Sequence, residues 1–175
     1  MLKIIVIVVV VALVALLGYA AAKPDQFRVA RSTVIKAPPQ KIYALIEDFH
    51  QWSAWSPYEK LDPAMTRTFG GPARGLGSTY AWSGNNKAGA GRMEIIEAAA
   101  PSKLVIRLDF TKPFKASNKA IFTLEPEGDA TRVTWAMEGD SPFFFKLMDV
   151  LFSMDKMAGK DFETGLASLK TAAEG

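Results

Sequence analysis

The hydrophobic and polar positions divide the chain into a long apolar start, a region of alternating residues and a helical end. Ile4 to Ala22 carries no charge and is rich in Val, Ile and Leu, behind the single charge of Lys3. As a helix this run would measure roughly 28 Å, close to the roughly 30 Å hydrocarbon thickness of a bilayer. It therefore predicts one N-terminal transmembrane helix within residues 1–22.

A cleaved signal peptide stays open as an alternative, because Ala20 to Ala22 resemble a small-residue cleavage site. The length favours a retained anchor, since signal-peptide cores have roughly 7 to 15 apolar residues. Lys3 favours a cytoplasmic N-terminus, whereas the basic residues just beyond the run oppose it. We expect a single-pass membrane protein whose remaining part lies on the outer, periplasmic or extracytoplasmic side.

Beyond a polar linker at residues 23–27, the chain alternates as β-strands do. Arg28 to Lys36 predicts a first strand. Pro39 then begins a helix to about Asp48, because proline at the first helical position loses no hydrogen bond. About six further strands follow, the clearest at Leu104 to Phe110, where every second residue is apolar and shares one face.

The C-terminal segment has helical spacing. Ser141 and Pro142 predict a helix start, as N-cap and first helical residue. Apolar residues then recur every three or four positions over Phe143 to Ala172, which predicts one long helix with a candidate bend at Gly159. Antiparallel strands with helices on one side indicate an α+β fold. A curved sheet facing one long helix would leave a space between them.

Composition removes several classes of function. The 21 basic and 18 acidic residues give a formal net charge of +3 and form no basic stripe, so no nucleic-acid partner is expected. The lack of Cys excludes disulfides, thiolate catalysis and Cys-ligated metals. Residues 28–175 are long enough for one domain with a substantial core.

Several stretches resemble the START-like superfamily of helix-grip proteins, also called SRPBCC, and specifically its polyketide cyclase/dehydrase-like branch. They are KAPPQKIYALIEDF (36–49), WSAWSPYEKLDP (52–63), GRMEIIEAAAPSKL (91–104) and DKMAGKDFETGLASLK (155–170). The resemblance covers Phe27 to Ala172 and implies a seven-stranded antiparallel sheet around a C-terminal helix, with an apolar cavity. The superfamily includes lipid carriers, hormone binders, chaperone activators and some cyclases, so its fold alone does not define a reaction.

Aromatic and methionine side chains are the candidate ligand contacts, with core packing as the alternative for each. Aromatic residues on alternating strand positions have an apolar body and a polar tip, and thioethers adapt to flexible chains. The predicted ligand-binding residues are Trp52, Trp55, Tyr80, Trp82, Phe122, Trp135, Met148, Met154 and Met157.

No pattern of catalytic or metal-binding residues emerges. His50 is the only His and has no Ser or Asp partner pattern around it. The charged residues of the last helix are interpreted as a solvated face: Asp155, Lys156, Lys160, Asp161 and Glu163. We therefore predict no catalytic residue, no cofactor and no metal site.

These patterns favour a membrane-tethered module that binds a hydrophobic or lipid-like small molecule between the sheet and the C-terminal helix. One alternative is an enzyme of the cyclase/dehydrase type. Another is a membrane-bound partner or stress-response module whose Trp52 and Trp55 loop contacts another protein. The identity of the ligand, of any protein partner and of the oligomer stays open.

Overall fold

A computed structural model describes residues 1–175. The chain forms four α-helices and seven strands, with two 3₁₀ turns at Phe49–Ala54 and Pro57–Lys60. The elements are α1 (Leu2–Ala22), β1 (Gln26–Ile35), α2 (Pro39–Glu47), β2 (Thr66–Gly70), β3 (Thr79–Ser83), β4 (Ala90–Ala99), β5 (Lys103–Lys112), β6 (Ala116–Glu127), β7 (Ala130–Asp140), α3 (Phe143–Leu151) and α4 (Met154–Glu174).

All seven strands form one antiparallel sheet, in the order β1, β7, β6, β5, β4, β3, β2. Residues directly opposite each other across neighbouring strands share a face, so Leu104, Phe122 and Trp135 form one row. All three are buried, as the alternation predicts. The α+β helix-grip fold expected from the sequence is confirmed.

Two tryptophans hold the chain that follows α2 against the end of that helix. The last carbonyl groups of α2 have no hydrogen-bond partner within the helix. The indole Nε1 of Trp52 donates to the Ile46 carbonyl and that of Trp55 to the Leu45 carbonyl, each at 3.0 Å. Both indoles are buried, 4% and 1% exposed, and so cannot form the protein-binding surface considered above.

Helix α4 packs against β1 and β7 at one side of the sheet. The ring of Phe162 stacks on that of Trp135, with 4.3 Å between centroids and 11° between planes. Arg31 of β1 also donates to Glu163 Oε1 and Asp155 Oδ1, at 2.8 and 2.9 Å. Helix α2 covers a different part of the sheet: it contacts β6, and Tyr43 Oη donates to the Lys103 carbonyl of β5 at 3.4 Å.

A long C-terminal helix is present as α4, but the prediction of one continuous helix over Phe143 to Ala172 is wrong. The helix is interrupted at Phe152 and Ser153, because Ser153 caps α4 and Asp149 Oδ1 accepts a hydrogen bond from Met154 N at 2.6 Å. The prediction of its start is also wrong, since Pro142 is the N-cap and Phe143 the first helical residue. Gly159 lies inside continuous α4 rather than at an interruption.

Helix α1 has the length and composition of a membrane span, properties that a signal sequence shares. Ala20 is its only buried residue. Its 21 residues rise by roughly 32 Å at about 1.5 Å each. The apolar helix expected from the sequence is therefore present and contributes almost nothing to the core.

Gly165 allows α4 to approach the sheet closely. A Cβ at this position would lie 2.7 Å from Cζ3 of Trp135 and 3.0 Å from Cδ of Pro57. We expect Gly165→Ala to lower the free energy of unfolding by about 1–3 kcal/mol through overpacking. Helix propensity alone would give the opposite sign, a gain of about 1 kcal/mol. Urea unfolding followed by circular dichroism in mild detergent measures the difference.

The matched control is Ala167→Gly, at an exposed position of the same helix. It is expected to cost about 1 kcal/mol from propensity alone. A stabilised Gly165→Ala variant would contradict the close approach.

Candidate functional site

A cavity of about 490 Å³ lies between the sheet, α4 and the segment that follows α2. Fourteen of the eighteen residues around it are hydrophobic, which suits an apolar molecule. The sheet supplies one wall through Tyr80, Trp82, Met93, Leu108, Phe110, Ala120, Trp135 and Met137. The other wall comes from α4 and the segment after α2, through Phe162, Asp161, Trp52, Ser56, Tyr58, Glu59, Leu61 and Met65.

One buried carboxylate stands among these apolar residues. Glu59 has a side chain only 8% exposed, and its two oxygens have different partners. Tyr80 Oη donates to Oε1 at 2.6 Å, and Arg67 Nε donates to Oε2 at 2.7 Å. Since a buried charge is costly unless it is paired and hydrogen-bonded, this arrangement makes an ionised Glu59 tolerable in an apolar wall.

Two other side chains of the cavity, Tyr58 and Asp161, have raised pKa values. Burial raises the pKa of Tyr58 above its ordinary value, and the charge of Asp161 raises it further. Desolvation also raises the pKa of the Asp161 carboxyl. The cavity therefore combines an apolar interior with a few polar groups, Glu59 and Asp161 among them.

The structure places four of the nine predicted ligand-binding residues on the cavity wall: Trp52, Tyr80, Trp82 and Trp135. Their contact with a ligand stays a prediction. The polar atoms of Tyr80 and Trp82 already form hydrogen bonds within the protein. Tyr80 Oη donates to Glu59, and Trp82 Nε1 donates to the Ala88 carbonyl at 3.0 Å. The buried Nε1 of Trp135 has no hydrogen-bond partner, nor has the buried Oγ of Ser56.

The other five predicted residues lie away from this cavity. Trp55 and Phe122 are fully buried in the core behind the wall. Met148 and Met157 are exposed, on α3 and α4 respectively. Met154 lines a different hollow. Met148 belongs to α3, which the interruption separates from α4, whereas Met157 lies on the exposed side of α4 itself.

Several residues of the cavity wall were not predicted from the sequence. Tyr58 and Glu59 belong to a 3₁₀ turn, where no apolar period marks the inward side. Asp161 was interpreted as part of a solvated face, yet it borders the cavity beside Phe162. The only available signal for Glu59 was a charge next to an aromatic residue in a Trp-rich loop, which is weak. His50 is not part of the cavity wall. Its ring stacks on that of Phe69, with 4.1 Å between the ring centroids.

A second hollow of about 620 Å³ opens where α1 meets the domain. Its lining includes Tyr19, Lys23, Phe114 and Phe145, drawn from α1, the linker, the β5–β6 turn and α3. Phe110 and Met137 border both hollows. The two spaces therefore adjoin across these side chains.

Comparison with known proteins gives a consistent result. A family model described as polyketide cyclase/dehydrase and lipid transport matches residues 26–174. A search of curated proteins finds no match.

Solved structures with similar folds include a protein from Chromobacterium violaceum, 15% identical, with a TM-score of 0.60 over 87% of this chain and 99% of that one. A di-domain ARO/CYC protein of the BE-7585A biosynthetic pathway is 11% identical, with a TM-score of 0.64 over 90% of this chain and 53% of that one. Major latex-like protein 151 of Panax ginseng is 11% identical, with a TM-score of 0.58 over 86% and 99%. At these identities the likeness concerns the fold alone.

Buried tyrosines make the stability of the domain depend on alkaline pH. Burial raises the pKa of Tyr43 to about 12 and that of Tyr80 further, with smaller contributions from Glu47 and Glu59 respectively. Tyrosines of the unfolded chain ionise near pH 10, so stability is complete below about pH 10 and falls as the pH rises above it. We expect Tyr80→Phe to flatten this decline. At neutral pH the variant should lose about 1.5–3 kcal/mol with its bond to Glu59.

Urea unfolding at several values between about pH 7 and about pH 11 measures both effects. Tyr19→Phe, at an exposed position of α1, is the matched control and should leave the curve unchanged. An identical pH dependence in Tyr80→Phe and the parent protein would contradict the assignment of the alkaline loss of stability to the ionisation of Tyr80.

Proposed function

Because this chain belongs to the polyketide cyclase/dehydrase and lipid transport family, we propose that it is a membrane-tethered module that binds a hydrophobic or lipid-like small molecule. The observation that carries the proposal is the cavity of about 490 Å³ between the sheet and α4. Its volume falls within the roughly 300–1,000 Å³ typical of small-molecule sites. A chain of this length that only needed a core could have closed the space with larger side chains.

The wall suggests the character of the ligand. Aromatic and thioether groups such as Trp82, Phe110 and Met137 suit an apolar body. Glu59 and Asp161 on the wall, and Lys87 in the β3–β4 turn, favour one polar end. An acceptor oxygen that reached the unpartnered Nε1 of Trp135 would remove the cost of an unsatisfied buried donor.

The tether is proposed from α1. Its uncharged length matches the hydrocarbon thickness, and almost none of it is needed by the core. A binding domain held at the membrane surface would exchange apolar molecules with the bilayer without their crossing water.

An enzyme of the cyclase/dehydrase type is the second candidate. The observation that favours it is Glu59, a buried carboxylate at the cavity with Tyr80 Oη at 2.6 Å. A positioned acid and base of this kind can guide proton transfer in a bound chain. In this case the cavity would hold a substrate rather than a cargo.

We expect the full chain, purified in mild detergent from its native membrane, to release a stoichiometric small molecule into an organic extract analysed by mass spectrometry. Leu108→Trp should lower the amount roughly 5- to 150-fold, because the larger indole takes up space that the ligand needs and overpacking costs about 1–3 kcal/mol. Leu108 faces the cavity, whereas Lys119 is exposed on the opposite face of β6, so Lys119→Trp is the control. Equal amounts from both variants would contradict the cavity as the binding site.

The same extract separates the two candidates. In a binding module, Glu59→Gln changes only how much of the molecule is retained. In an enzyme it changes which molecule is retained, because unconverted substrate accumulates. Glu94→Gln, on the outer face of β4, controls for the loss of a carboxylate.

We propose that the domain lies on the outer side of the membrane. The chain has no Cys, so Asp129→Cys in the β6–β7 turn introduces a unique thiol. We expect a membrane-impermeant maleimide to label it in spheroplasts. Labelling only after lysis would place the domain in the cytoplasm instead.

A further inference from the structure

Helix α3 has its polar and apolar sides reversed relative to a helix of a water-soluble surface. Lys146 is buried, only 7% exposed, whereas Phe144 and Leu151 are 50% and 57% exposed. Phe144, Met148 and Leu151 are spaced by four and three residues, so they form one outward stripe. A surface helix normally shows the opposite arrangement, with its apolar stripe towards the core.

The polar side of α3 faces the end of α1. Lys146 Nζ donates to Asp25 Oδ1 at 2.6 Å. Lys23 donates to the Asp149 carboxylate, and this bond lowers the pKa of Asp149. Two ion pairs thus join α3 to the linker that follows α1, and the two helices also pack against each other.

If α1 spans a bilayer, these ion pairs fix the depth of α3 relative to the membrane surface. The roughly 32 Å rise of α1 nearly equals the roughly 30 Å hydrocarbon thickness, so its C-terminal end must lie at the membrane surface. Lys23 and Asp25 follow that end directly. Their ion pairs hold α3 within one side-chain length of the same level.

The β5–β6 turn extends the outward stripe. Phe114 is 56% exposed, and its ring lies 5.7 Å from that of Phe144. Lys112 and Lys115 flank Phe114 and are exposed. An aromatic ring between two basic residues is typical of protein surfaces at the membrane interface, where lysines attract anionic headgroups.

We propose that the surface formed by Phe114, Phe144, Met148 and Leu151, here called the α3 patch, lies in the headgroup and acyl boundary of the leaflet where α1 emerges. This inference rests on the tether in the proposed function. It adds a second membrane contact, an interfacial helix of the kind that inserts its apolar side roughly 5–10 Å into the boundary. The bilayer is the occupant because α3 packs against α1 and its ion pairs to the linker hold the patch at the depth that α1 imposes.

The test uses the full chain in lipid vesicles that contain anionic lipid. Since the chain has no Cys, Phe144→Cys and Leu151→Cys each supply a unique, exposed site for an environment-sensitive fluorophore. Lipids with a nitroxide on the acyl chain act as quenchers. Val11→Cys, in the middle of α1, reports the tether independently. Asp129→Cys is the control far from the membrane, because β7 carries the chain roughly 33 Å from that turn to Asp140.

We expect the probes at positions 144 and 151 to be quenched by the labelled lipids, the probe at 11 to be quenched as well, and the probe at 129 to be unaffected. Quenching at 11 without quenching at 144 and 151 would overturn the α3 patch and leave the tether intact. No quenching at 11 would overturn the tether, whereas quenching at 144 and 151 would still support the patch. Probes shielded from aqueous iodide but not quenched by lipid would indicate a second copy of the chain on the patch, which also overturns the inference.

Discussion

The stacking of Phe162 on Trp135 is the contact on which the site depends. It holds α4 over β7 and β1 at one side of the sheet, and Gly165 lets the helix come close enough for the rings to meet. One helix is too narrow to cover seven strands, whose neighbours are roughly 4.8 Å apart. Away from α4, the inner face of the sheet is covered by α2 and by the irregular segment after it, and the cavity lies between that segment, α4 and the sheet. The space is a consequence of how few elements cover the sheet.

The sequence predicts the strands well because their period is simple. Leu104, Phe122 and Trp135 belong to the every-second-residue apolar positions of their strands, and each lies buried on the same face of the sheet. Pro39 marks the start of α2 for an equally local reason, since it is tolerated at the first helical position. Where one residue's environment follows from spacing or backbone chemistry alone, sequence and structure agree.

The incorrect predictions arise where the spacing of apolar residues does not identify the surface that those residues face. Apolar residues recur without interruption from Phe144 to Leu169, but the stripe of α3 faces outward and that of α4 faces inward. Periodicity identifies an apolar side and cannot tell a core from a membrane. Glu59 presents a different difficulty, because a 3₁₀ turn has no period that marks its inward side. Its partners, Tyr80 and Arg67, come from separate strands that only the folded chain brings together.

The two hollows would give the proposed membrane contact a functional meaning. The inner cavity and the hollow beside α1 adjoin at Phe110 and Met137, side chains of β5 and β7. If the α3 patch lies in the interface, the outer hollow would open at the level of the lipid headgroups, and Phe110 and Met137, which line both hollows, would stand between it and the cavity. Both are apolar, and Met is the more adaptable, with three rotatable bonds. A hydrophobic molecule could then pass from lipid to cavity by rotamer changes that keep the sheet intact, whereas a route through water would expose its apolar surface. Under the proposed tether, the reversed helix and the cavity would thus lie along one apolar route from the bilayer.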